Sequence, residues 1–125
     1  MTRVDARLAA FQALYAADTV DSDAPNVEGL GQRARDLTQG TWANRPDLDL
    51  KIGAVARGWR LERMPVVDRN ILRLALYELV HTATPVAVVI SEAVELAKVH
   101  STIRSGGFVN GILGELAKTP EDLSL

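Results

Sequence analysis

The residues of this chain that could do chemistry are arginines, a glycine pair and a few aromatic rings. The stretch Arg104-Ser105-Gly106-Gly107-Phe108-Val109-Asn110-Gly111 puts two glycines just before an apolar run. A glycine pair entering a helix exposes backbone N–H groups at the positive end of the helix dipole. Such groups can hold a phosphate, and Arg104 stands beside them. Phe108 at that helix mouth could stack on an unpaired base. The same residues also fit a plain turn with Phe108 in the core, and both readings stay open. In the first segment, Arg3 and Arg7 are spaced i, i+4 and share a helical face, with Tyr15 further along. Two arginines are a thin electrostatic footprint for a polyanion.

Other chemistry is harder to place. His81 and His100 stand 19 residues apart with no acid at metal-ligand spacing. Each reads as a helix-end residue, where a cation meets the C-terminal dipole favourably. Glu92 and Glu95 share a helical face, as solvated carboxylates commonly do. There is no GxSxG elbow, HExxH pair or P-loop. Cysteine is absent, which excludes a thiolate zinc site, a disulfide framework and a cysteine nucleophile. The reading is therefore of a non-enzymatic chain with no metal and no cofactor.

The elements that must position these residues come from a chain of 125 residues, 47% of them hydrophobic. That length suits one domain able to bury about two-thirds of its unfolded surface. Fourteen Lys+Arg stand against 16 Asp+Glu, a net charge of −2, which argues against a general polyanion binder. The charge is uneven, however. Residues 18–50 sum to −4 and residues 51–104 to +3, so a local basic patch remains open. Eleven of the 14 bases are arginine, whose planar fork suits phosphate and carboxylate. The start of the chain is charged and precedes no long apolar core. The longest apolar run, Val86 to Ile90, is far short of the roughly 20 residues that span a bilayer. A soluble, cytoplasmic protein with no membrane contact is expected.

Six segments read as helices. Val4, Leu8, Phe11, Leu14 and Tyr15 recur at helical spacing over about 3–17. A second helix is expected over 26–43 with Asn26 as N-cap, and a third from Asp47 to Trp59. Pro65 then punctuates the chain. Residues 66–81 form the strongest helix, apolar around most of its circumference and hence central in a bundle. The β-branched run after Pro85 would also suit a strand. Proline in a first turn and the later spacing of Ile90, Val94 and Ala97 favour a helix over 85–99. Residues 101–107 read as a loop, and a last helix over 108–118 stops at Thr119-Pro120. The class is all-α.

These segments resemble a known family. Val67-Asp68-Arg69-Asn70-Ile71-Leu72-Arg73-Leu74-Ala75-Leu76-Tyr77-Glu78-Leu79 resembles the central helix of the NusB family of bacterial transcription antitermination factors. Pro85, then Ile90-Ser91-Glu92-Ala93-Val94-Glu95-Leu96-Ala97-Lys98, then Phe108-Val109-Asn110-Gly111-Ile112-Leu113 resemble its next two signatures, in order and at similar spacing. Gln12-Ala13-Leu14-Tyr15 is similar to its first-helix motif. The resemblance implies a compact bundle of about six or seven helices in two small subdomains, about 1–63 and 64–125. It implies pairing with NusE, a small-subunit ribosomal protein, and binding by the pair of boxA RNA in nascent ribosomal RNA transcripts. The further partners would be RNA polymerase and the other Nus factors. Carried over by motif, Arg3, Arg7, Tyr15, Arg104 and Phe108 would face RNA, while Asp68, with Arg69 nearby, would face NusE.

Two departures shape the alternative. Only Arg3 and Arg7 precede Phe11 where many family members carry a dense arginine run, and Ser91 stands where asparagine is usual. A protein-interaction module that binds NusE or a second copy of itself, with reduced RNA binding, is the second reading. A domain appended to a ribosomal RNA methyltransferase is a third, and no glycine-rich cofactor unit follows in this chain.

Overall fold

The computed structural model describes residues 2–118, apart from the side chains of Arg3 and Val4. The expected stop at Thr119-Pro120 lies outside those residues. Six α-helices follow in order: α1 (Arg3–Thr19), α2 (Gln32–Ala43), α3 (Arg45–Val55), α4 (Val66–His81), α5 (Val86–His100) and α6 (Ile103–Ala117). A short 3-10 turn, Leu61–Arg63, joins α3 to α4. There is no strand among the described residues, so the β-branched run after Pro85 is helical.

Helix α1 starts in a capping box. The Thr2 hydroxyl accepts from the Asp5 N–H at 3.1 Å, and the Asp5 carboxylate accepts from Thr2. Its buried stripe is Ala6, Ala10, Phe11, Leu14 and Ala17, and the small alanines let α1 lie close to its neighbours. Helix α4 is the central rod. It packs against all five other α-helices, and nine of its 16 residues are buried. A helix apolar around most of its circumference belongs at the centre of a small bundle, and its buried polar residues Asp68, Asn70, Arg73 and Glu78 are each hydrogen-bonded to a neighbouring helix. Helices α5 and α6 form an antiparallel hairpin across the turn Ser101-Thr102.

Three helices have bounds that differ from the sequence expectation. Helix α2 begins at Gln32, because the Asn26 side chain accepts from the Glu28 N–H at 3.0 Å and closes a turn of its own. Helix α3 begins at Arg45, with Asn44 shared between the end of α2 and the start of α3, and it stops at Val55. Helix α6 begins five residues earlier than expected. The Thr102 hydroxyl caps it by accepting from the Ser105 N–H at 3.1 Å.

Candidate nucleic-acid interface

One pole of the bundle gathers several of the residues expected to meet RNA. The second half of α1, the start of α4, the α5–α6 turn and the segment after α3 all converge there. Tyr15 is exposed on α1 and, with Gln12, Val67 and His100, lines a cleft of about 270 Å³ floored by Phe11. The Phe11 ring lies 6.1 Å from that of Tyr15 and 5.3 Å from the imidazole of His100. Asp68, next to Val67 on α4, accepts a hydrogen bond from the Ser105 hydroxyl of α6 at 3.0 Å. Arg104 is exposed in the first turn of α6, and Phe108, one turn on, is half-buried.

Of the two readings of the glycine pair, the phosphate cradle is not formed. With α6 starting at Ile103, Gly106 and Gly107 lie within the helix and Phe108 is in its second turn, not at its mouth. Among the opening N–H groups, that of Ser105 is taken by Thr102. Gly106 serves packing instead: a Cβ there would come within 3.0 Å of the Lys98 side chain on α5.

Arg7 departs furthest from expectation. It is buried, and its fork grips Glu78 of α4, Nε to Oε1 at 2.6 Å and Nη2 to Oε2 at 2.9 Å. Its guanidinium cannot reach a phosphate in this arrangement. A buried charge needs a partner, and Glu78, itself buried, is that partner. The side chain of Arg3 lies outside the described residues.

The two residues expected to face NusE are also committed within the chain. Asp68 is buried, with Oδ2 on Ser105 and Oδ1 without a hydrogen bond. The Ser101 and Thr102 hydroxyls lie 2.9 and 3.0 Å from that of Ser105. Arg69 pairs in bidentate fashion with Asp18, Nε to Oδ2 at 2.6 Å and Nη2 to Oδ1 at 3.0 Å. Asn70 and Arg73 also donate to Asp18, and Arg73 extends the network to Asp49 through two bonds of 2.7 and 2.8 Å. Burial opposes ionisation of Asp18. The hydrogen bonds from Arg69 and Asn70 and the charge of Arg73 outweigh it and hold the carboxyl below the ordinary carboxylate range. These contacts fasten the end of α1 and the middle of α3 to α4.

The sequence reading missed Trp59. It is half-exposed, and its ring meets that of Phe108 edge-to-face at 5.5 Å. Arg57, Arg60 and Arg63, close to it in the chain, are exposed, as is the acid Glu62 between the last two. The signal was present as Arg57-Gly58-Trp59-Arg60, but assigning Trp59 to the end of a helix hid it. Among the described residues, no group of three or more His, Asp or Glu is placed to hold a metal ion. No described helix is long and apolar enough to cross a membrane.

Known proteins with the same pattern share this architecture. The NusB family profile matches residues 4–118. The chain is 43% identical to the transcription antitermination protein NusB of Symbiobacterium thermophilum, over 94% of this chain and 90% of that protein. It is 45% identical to that of Frankia casuarinae, over 90% of this chain and 81% of that protein. The solved structure of T. maritima NusB superposes with a TM-score of 0.84 at 38% identity, covering 94% of this chain and 92% of that one. A crystal structure of antitermination factors NusB and NusE in complex with dsRNA contains a chain that matches with a TM-score of 0.80 at 26% identity, over 95% and 99%.

Proposed function

The chain belongs to the NusB family, and on that premise we propose that it acts as a transcription antitermination factor. Paired with NusE, it binds the boxA element of nascent ribosomal RNA and joins RNA polymerase and the other Nus factors. It works in the cytoplasm as a binding protein, not as an enzyme. The observation that carries this reading is the match over nearly its whole length to a chain from a crystal structure of NusB and NusE in complex with dsRNA.

The pole described above suits the task. Single-stranded RNA is held by stacking on aromatic rings, by hydrogen bonds to base edges and by arginine on phosphate. Tyr15 offers a ring beside a cleft, Gln12 an amide at its rim and Arg104 a charge within reach of the same pole. Asp68 and Arg69 act from behind the surface, as positioning residues. Asp68 sets the start of α6 against α4, and Arg69 sets the end of α1. With Arg7 buried and a net charge of −2, the chain alone binds weakly, and the pair binds more tightly because two modest basic surfaces act together.

Titrating labelled boxA RNA with this protein, with NusE and with both tests the reading. The pair is expected to bind more tightly than either protein and to prefer boxA to a scrambled sequence. No gain from the combination would refute it. Equal competition by the scrambled RNA would favour a protein-interaction module instead.

A further inference from the structure

We infer that Trp59 is a stacking platform for an unpaired RNA base, with Arg57 and Arg60 on the phosphates either side of it. The inference rests on the RNA-binding reading above and extends it to a segment outside the family motifs quoted for that reading. Lone exposed apolar residues need no explanation. Trp59 is not alone: it is 51% exposed and rests against Phe108, so two of the six aromatic rings of the chain share one patch. Exposed arginines stand two residues before Trp59 and one after.

The backbone holds the ring in place. The Trp59 N–H donates to the Ala56 carbonyl at 3.0 Å and closes a turn, with Gly58 in its third position at a φ of 80°. A turn of this kind needs positive φ there, which glycine adopts without strain. Immediately afterwards the Arg60 carbonyl accepts from the Arg63 and Met64 N–H groups. The tryptophan is therefore presented by a hydrogen-bonded segment, and one edge contact with Phe108 leaves much of the indole in water. An aromatic ring flanked by arginines matches the chemistry of a stacked base between two phosphates. An acidic peptide would use the arginines and leave the ring idle.

Fluorescence and affinity of the complex with NusE test this. Trp42, the other tryptophan, is buried. Quenching that appears on adding single-stranded boxA RNA to the wild type and disappears in Trp59→Phe is therefore the Trp59 signal. Trp59→Ala is expected to weaken RNA binding about 5- to 100-fold, and Trp59→Phe by no more than about threefold, since a ring is kept. Circular dichroism and melting of both variants check the fold. Wild-type affinity in a folded Trp59→Ala would overturn the inference and leave the RNA-binding reading standing. Equal quenching by a duplex of the same sequence, or shielding of Trp59 by NusE without RNA, would also overturn it. No RNA binding by the wild-type pair would overturn both.

Discussion

Replacing Arg7 separates two accounts of the first helix. As an exposed arginine it would neutralise a phosphate, and Arg7→Ala would flatten the salt dependence of RNA binding by about 0.7 in the log–log slope. The structure instead buries Arg7 against Glu78, whose side chain is 1% exposed. Removing the guanidinium strands that carboxylate. Stranding one member of a buried pair costs about 3–5 kcal/mol. The Arg33 guanidinium, 3.7 Å from Glu78 Oε2, remains as a second cation and favours the lower end of that range. For a domain of this size, about 3 kcal/mol corresponds to a fall in Tm of roughly 10–15 °C. Calorimetry on Arg7→Ala reads this directly. The double variant Arg7→Met/Glu78→Leu replaces both charges with apolar groups and should recover most of the loss. At a temperature where the double variant is folded, its RNA salt slope should equal that of the wild type. A Tm within about 2 °C of wild type in Arg7→Ala, together with a flattened slope in the double variant, would refute the buried-pair argument.

Three further outcomes follow from other contacts. Gly40→Ala would drive a Cβ into the Tyr77 ring and hydroxyl and should cost about 1–3 kcal/mol, whereas Gly114→Ala, with open space around it in α6, should stabilise by up to about 1 kcal/mol. Urea titration of both variants checks the contrast. The Asp18 carboxyl is held below its ordinary range in the folded state, so its contribution is fully present above the unfolded carboxylate range near pH 4 and fades as the pH falls through the lower folded value. Stability of Asp18→Asn should therefore depend less steeply on pH below about 4 than that of the wild type, as measured by denaturant melts across pH. Ser105→Ala removes the hydrogen bond to buried Asp68 and should cost about 1–3 kcal/mol. Addition of Asp68→Ala should then cost much less than it does in the wild type, which a double-mutant cycle would measure.

The class and the central rod were legible in the sequence alone. An apolar surface around most of residues 66–81 demands burial on all sides, and α4 has it. Proline after a loop and the spacing of Ile90, Val94 and Ala97 were enough to make α5 a helix despite its β-branched start. His81 and His100 end α4 and α5 as expected. The helix starts were less legible. They turn on single side-chain hydrogen bonds, such as Thr102 to Ser105 and Asn26 to Glu28, which compete with equally plausible caps nearby.

What only the tertiary structure decided is which charges are free. Helical spacing can put Arg3 and Arg7 on one face, but whether that face meets water or Glu78, 71 residues away, depends on how α1 lies on α4. The same holds for Arg69 on Asp18 and Asp68 on Ser105, pairs separated by 51 and 37 residues. A salt bridge has no periodicity, so residue spacing cannot reveal it. Trp59 shows the converse. Its place in the chain suggests an ordinary helix end. Only the turn at Gly58 and the passage of α6 beside it leave the indole half in water, between two arginines of the chain that are themselves exposed.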